Sequence, residues 1–219
     1  MYYKSNQAKI PCITGRVIPE AVFSKRNYFN TIYDKIKTDI ASYDPEQILN
    51  PIWVNSRGAI PRFDRGSIEI RIMDIQECPS ADLAIVSLVV ETLKLFVNGN
   101  FIDHEAQMKW KTDTLAVLFE KVVEKGPEVV IDQQDYLQIF QYPGKTASVG
   151  ELWNHILQQN INSGNSLSRW KPEIDVILKQ GTLSQRIIRA LGGDYSKENI
   201  TTVYKKLSTC LEQNRMFLV

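Results

Sequence analysis

The stretch SIEIRIMD, residues 67–74, decides how this chain is read. Isoleucine recurs at 68, 70 and 72, and β-branched residues at every second position follow the period of a strand. Alternation puts Ile68, Ile70 and Ile72 on one face, which is expected to pack on a core. Glu69, Arg71 and Met73 then share the other face. A carboxylate and a guanidinium two residues apart on that face need a reason. The plainest one is a surface ion pair, which contributes little to stability.

Working outward, IWVNSRGAI (52–60) reads as a second extended stretch and PRFDRG (61–66) as the connection, which together predict a hairpin with a long loop. Trp53, Asn55 and Arg57 share a face of the first strand, so pairing brings Asn55 and Arg57 toward Glu69 and Arg71. Arg62 and Arg65 sit on the loop. Such a surface is rich in arginine and carries one hard oxygen ligand, which suits a polyphosphate. Guanidinium groups fork onto phosphate oxygens and keep their charge when partly buried. A glutamate is a proper ligand for the Mg²⁺ that accompanies ATP. A strand would also hold these groups more rigidly than a loop.

Farther out the pattern turns helical. Tyr28, Ile32, Ile36 and Ile40 recur at fourfold spacing and predict an amphipathic helix over 24–43, with Ser24 as its cap. Residues 44–51 read as a turn. After the strand, QECPS breaks the chain and an apolar helix is expected over 81–97. A further helix is expected over 103–125, ended by Gly126-Pro127. Residues 127–148 are ambiguous. Helices follow from Ser148, around 170–179, over 182–193 with a glycine stop, and over 196–214, with NSGNS (162–166) as a linker. A β-containing first half and a helical second half make the fold class α+β.

The bulk numbers exclude several classes. The chain has 219 residues, is 43% hydrophobic and carries a formal charge of +1, so it can bury a sizeable core and shows no global pull toward nucleic acid or an anionic membrane. Residues 81–97 are too short and too charged for a bilayer span. Residues 1–10 show no leader-like apolar run. Cys12, Cys78 and Cys210 are few, odd in number and widely spaced, which argues for a reducing cytoplasm over a disulfide framework or a zinc site. His104 and His155 have no second ligand at useful spacing. Cys78 reads as structural, and Lys111 beside Trp110 reads as a snorkelling helix lysine. GRVIPE (15–20) is read either as a turn fixed by Gly15 and Pro19 or as part of an amino-acid pocket.

RFDRGSIEIRIMD followed by PSADLAIVSLVVETLKLF resembles the late part of the glutamate–cysteine ligase family of the second type, the bacterial carboxylate–amine ligases. The family pattern is an arginine, an E-x-R strand closing in aspartate, a proline-containing break and an apolar helix. Glutamine synthetases, of the same superfamily, share that order. QAKIPCITGRVIPEAV and TLSQRIIRALGG with VYKKLSTCLEQNRMF also look like segments of the ligase family, so the resemblance extends over nearly the whole chain.

The resemblance implies a glutamine synthetase-like antiparallel sheet curved around an active site, with helices packed outside. Residues 1–161 would be the C-terminal part of the catalytic domain and 162–219 a helical extension of it. Glu69 would match the metal-ligating glutamate and Arg71 the arginine on the transferring phosphate. Arg57, Arg62, Arg65 and Asn55 would be candidates for ATP or substrate, with Arg57 also catalytic. The implied cofactors are ATP and Mg²⁺, and the implied substrates are glutamate and an amine such as cysteine. The family's other metal-binding carboxylates, in an early G-x-E-x-E type strand, have no counterpart here. The chain therefore looks like a C-terminal half, completed by a missing N-terminal half or by oligomerisation. The alternative expectation is a truncated, non-catalytic relative that acts as a binding or regulatory partner.

Overall fold

A computed structural model describes residues 9–162 and 164–219. Residues 1–8, which carry most of the stretch read for a leader, lie outside the described residues. The chain is α+β, 58% helical and 6% strand, so helices build most of the packing.

Helix α1 is a continuous run of α-helical Lys25–Tyr28, π-helical Phe29–Tyr33 and α-helical Asp34–Ile40. A single turn, α2, covers Pro51–Val54; strands β1 (Ala59–Arg62) and β2 (Ser67–Ile70) follow. Then come α3 (Pro79–Val97), α4 (His104–Met108), α5 (Thr112–Lys125), β3 (Val130–Ile131), α6 (Gln134–Ile139) and β4 (Ala147–Ser148). The chain closes with α7 (Val149–Asn160), α8 (Ser166–Gln180), α9 (Leu183–Leu191) and α10 (Lys197–Glu212). Among the described residues the strands form two separate antiparallel pairs, β1–β2 and β3–β4.

The chain divides into two compact units. One contains the described residues up to Asp74 together with Met108–Glu120; the other contains Ile75–Gln107 and Lys121–Val219. The boundary at residue 161 drawn from the sequence falls inside the second unit.

In the first unit, Ser24 Oγ accepts from the Asn27 backbone N–H and starts α1. The fourfold stripe Tyr28, Ile32, Ile36 and Ile40 is buried as expected, joined by Tyr33, with Ile13, Val22, Ile52 and Val54 packed against it. Residues 52–54 are helical, not extended. Asn50 Oδ1 accepts from the Ile52 N–H at 2.9 Å and Pro51 occupies the first turn, so cap and proline together override the β-rich composition of IWV. The loop 11–20 returns to the hairpin at Gly58, whose N–H donates to the Val17 carbonyl at 2.7 Å. A Cβ at Gly58 would lie 2.7 Å from Ile72 Cγ2, so only glycine allows this approach.

The expected single helix over 103–125 is two. Asp103 Oδ1 caps α4 through the Ala106 N–H, and the chain breaks before Thr112, whose hydroxyl donates to the Pro19 carbonyl at 3.0 Å.

The second unit is a helical pack. Ala84 of α3, Leu157 of α7 and Leu167 and Ile174 of α8 form one buried cluster. Leu191, Val203, Cys210 and Phe217 form another. Ser148 with Glu151, and Thr182 with Gln185, are reciprocal capping boxes at the starts of α7 and α9. Gly192, left-handed at φ 58°, is the glycine stop of α9. Asn165, read from the sequence as linker, caps α8 through the Leu167 N–H, so this helix starts earlier than its apolar spacing implies. Arg186 and Glu77, both fully buried, form an ion pair that also holds the chain end. Arg186 donates to the Phe217 carbonyl at 2.7 Å and Glu77 accepts from the Phe217 N–H at 3.1 Å.

Candidate functional site, an arginine and carboxylate network on the hairpin

The register of β1–β2 builds the site. Ile60 pairs with Glu69 and Arg62 with Ser67, and cross-strand partners lie on the same face. Ile60 and Arg62 are buried, so the Glu69 face is the inward one. The isoleucine face is the outward one: Ile68, Ile70 and Ile72 are 64%, 37% and 41% exposed. The expectation that these isoleucines pack on the core of this chain is therefore reversed. The physical reason lies in the arginines. A buried guanidinium must be paired and hydrogen-bonded, and the inward face supplies those partners.

Glu69 is the hub. Arg62 donates to its Oε2 at 2.7 Å and Arg71 Nε donates to its Oε1 at 2.7 Å. Arg62 turns its other edge to Asp64, at 3.1 and 3.0 Å, in a forked pair. Its guanidinium also lies over the Trp53 ring, 5.0 Å from the centroid. Arg71 lies just past the end of β2, where its N–H donates to the Gly58 carbonyl, and its guanidinium donates to the Asn55 carbonyl at 2.7 Å. Hydrogen bonds from Arg71, and then from Arg62, hold the Glu69 carboxyl below the usual carboxylate range. The Arg62 fork does the same to Asp64.

Beneath them, Arg57 is buried and forks onto Glu20 at 2.5 and 2.6 Å. It also donates to the Cys12 carbonyl and to Asn55 Oδ1, both at 3.0 Å. Asn55 Nδ2 donates to the Tyr28 hydroxyl at 2.9 Å, and burial pushes that phenol's pKa up. Arg65 lies on the exposed turn, 3.6 Å from Asp64 and over the Trp53 ring at 6.0 Å from its centroid.

The structure thus brings Asn55, Arg57, Arg62, Glu69 and Arg71 together within one unit, with Arg65 at the rim. Sequence reading missed Glu20, Asp64, Tyr28 and Trp53 as members of the network. Glu20 lies in GRVIPE, where a turn and a binding role were both in view; the structure makes it the counter-ion of Arg57. Asp64 carried a signal too, since it stands two residues from Arg62 in RFDRG. His104 and His155 each bond a backbone carbonyl, of Val97 and Phe140 respectively, as structural histidines do.

Chemically, this is a set of guanidinium groups paired with three carboxylates, Glu69, Asp64 and Glu20. Among the described residues no group of three His, Cys, Asp or Glu could hold a metal ion, and both Glu69 oxygens already take guanidinium donors. These residues do not by themselves build a Mg²⁺ site, which calls for about six oxygen ligands. Among the described residues no helix is long and apolar enough to cross a membrane.

No protein-family model matches the chain, and no solved structure matches it. The chain is similar to an uncharacterized protein of Archaeoglobus fulgidus, at 27% identity over 220 residues. That match takes in 99% of this chain and 51% of the archaeal protein, so the chain spans about half the length of the curated relative it matches.

Proposed function

We propose that this chain is part of a cytoplasmic ATP-dependent carboxylate–amine ligase of the glutamate–cysteine ligase type, with a glutamine synthetase-like fold. One observation carries the reading: Glu69, Arg62 and Arg71 converge on one inward hairpin face, with Arg57 fixed beneath them. In this scheme an oxygen of the glutamate γ-carboxylate attacks the terminal phosphorus of ATP and ADP leaves. The nitrogen of an amine, cysteine by resemblance, then attacks the acyl carbon. Phosphate departs with the bonding pair and the amine releases a proton. Arg71 and Arg62 neutralise charge on the moving phosphoryl group, Arg65 at the rim orients substrate, and buried Arg57 and Asn55 hold the site from beneath, so rate comes from positioning and electrostatics. Glu69 would be the residue to offer a Mg²⁺ ion a carboxylate oxygen, and the ion would neutralise charge on the phosphates that ATP brings.

The test is ATP-dependent phosphate release with glutamate and cysteine, on the gene product at its native length. Glu69→Gln is expected to abolish turnover while the circular dichroism spectrum stays unchanged. Turnover retained in that variant removes the site assignment.

A second reading has its own observation in favour. Arg57, Arg62 and Arg71 are each already engaged by carboxylates of the chain, the pattern of a structural ion-pair network. A truncated relative that binds a partner without catalysis needs no more than that. It predicts no phosphate release with any pairing of acid and amine. It also predicts that Arg71→Gln lowers the unfolding midpoint without changing ATP affinity.

A further inference from the structure

Helix α3 is apolar on two opposite faces. One face, with Ala84 and partly buried Leu88, packs on α7 and α8. The other carries Leu83, Val86, Val90, Leu93 and Val97, which are 41 to 68% exposed. Their spacing is three, four, three and four residues, the a/d repeat of a helix seam. At 100° per residue this stripe lies on the side of the helix away from Ala84 and Leu88. The stripe runs for about 21 Å, at 1.5 Å per residue, with no charged side chain in it. Salt and capping chemistry leave it clear: Asp82 bonds the Gln76 N–H, and Glu91 bonds Lys94 and Ser166.

We propose that this stripe is the docking surface for the polypeptide corresponding to the other half of the archaeal relative. The match covers 51% of that protein, so as much chain again exists there to cover an apolar face of this size. Five side chains fall far below the roughly 20–30 residues a side of a stable interface, so the occupant must meet the stripe and extend beyond it. As much chain again as this one, the length of the rest of the archaeal protein, has that reach. The inference stands apart from the ligase reading, because it concerns packing and holds for any activity.

The test places the photocrosslinker p-benzoylphenylalanine at Val90 in the gene product expressed in its source cells, with an exposed control site at Thr201. Irradiation is expected to join position 90 to a peptide that aligns with the archaeal protein outside the 220-residue match, on the same polypeptide or on a second one. A join to a peptide of this chain itself, in the same copy or in another, overturns the proposal in favour of an internal contact or a homodimer. No join at position 90, as at Thr201, overturns it in favour of a bare surface. Hydroxyl-radical footprinting of the unsubstituted protein guards against misfolding of the variant. Leu83 and Leu93 are expected to be protected relative to this chain purified alone, and equal oxidation in the two samples counts against the proposal. Phosphate release is a separate assay, so either idea can fail without the other.

Discussion

Charge burial dominates at the residue scale. The Glu77–Arg186 pair is fully buried on both side chains and also fixes the backbone of Phe217. Removing one partner leaves the other as an uncompensated buried charge. Glu77→Gln is therefore expected to destabilise by roughly 3–5 kcal/mol in denaturant unfolding. A double replacement by apolar residues of similar volume, Glu77→Leu with Arg186→Met, is expected to recover much of that loss. A single variant as stable as the parent rules out the strong-pair account. Glu69 behaves differently, because it is half-exposed and its carboxyl is depressed by Arg71 and Arg62. A depressed carboxyl adds stability above its unfolded pKa and loses it as pH falls through the folded value. Acid titration of the unfolding midpoint should thus show a decline starting below about pH 4.3. Glu69→Gln should flatten part of that decline, and identical slopes in the two proteins would contradict the assignment.

At the scale of elements, the hairpin supplies the sharpest contrast. If the Glu69 face is inward, Ile60→Ala opens a cavity and costs roughly 2–5 kcal/mol. Ile68→Ala, on the outward face, is expected to stay within about 0.5 kcal/mol in the chain alone. The reverse ranking would restore the orientation that the strand composition implies. What was legible in the sequence follows from this contrast. The period-2 alternation correctly grouped Glu69 with Arg71 and isoleucine with isoleucine. Alternation says which residues share a face; which face turns inward depends on partners elsewhere in the chain. Here Asp64 and the Asn55 carbonyl satisfy Arg62 and Arg71 and draw that face in. The stripe of α1 was legible because one sequence period decides it. Residues 52–54 were misread because a cap and a proline outweigh three β-favouring side chains. Caps carry measurable weight: Ser148→Ala or Thr182→Ala should each cost about 1 kcal/mol.

For the whole molecule, the division into two units does not follow a cut in the sequence. The first unit recruits Met108–Glu120 from the middle of the chain, where Arg16 pairs with Asp113 and Glu120, both at 3.4 Å. The second unit depends on α3, because Ala84 is buried with Leu157, Leu167 and Ile174. A polypeptide of residues 162–219 alone keeps α8, α9 and α10 but loses Ala84 and Leu157 from the first cluster and Glu77 from the buried ion pair. Arg186 would then be left without its counter-ion, and the inner face of α8 would have no core to enter. Below about 70–80 residues a single core rarely supplies more than a few kcal/mol, so such a loss is decisive. We expect this piece to be helical by circular dichroism yet to melt without a cooperative transition. Adding residues 75–161 should restore a sigmoidal melt. A cooperative transition in the short piece would show that α9 and α10, through Leu191, Val203, Cys210 and Phe217, are a self-sufficient core, and that α3 serves another purpose.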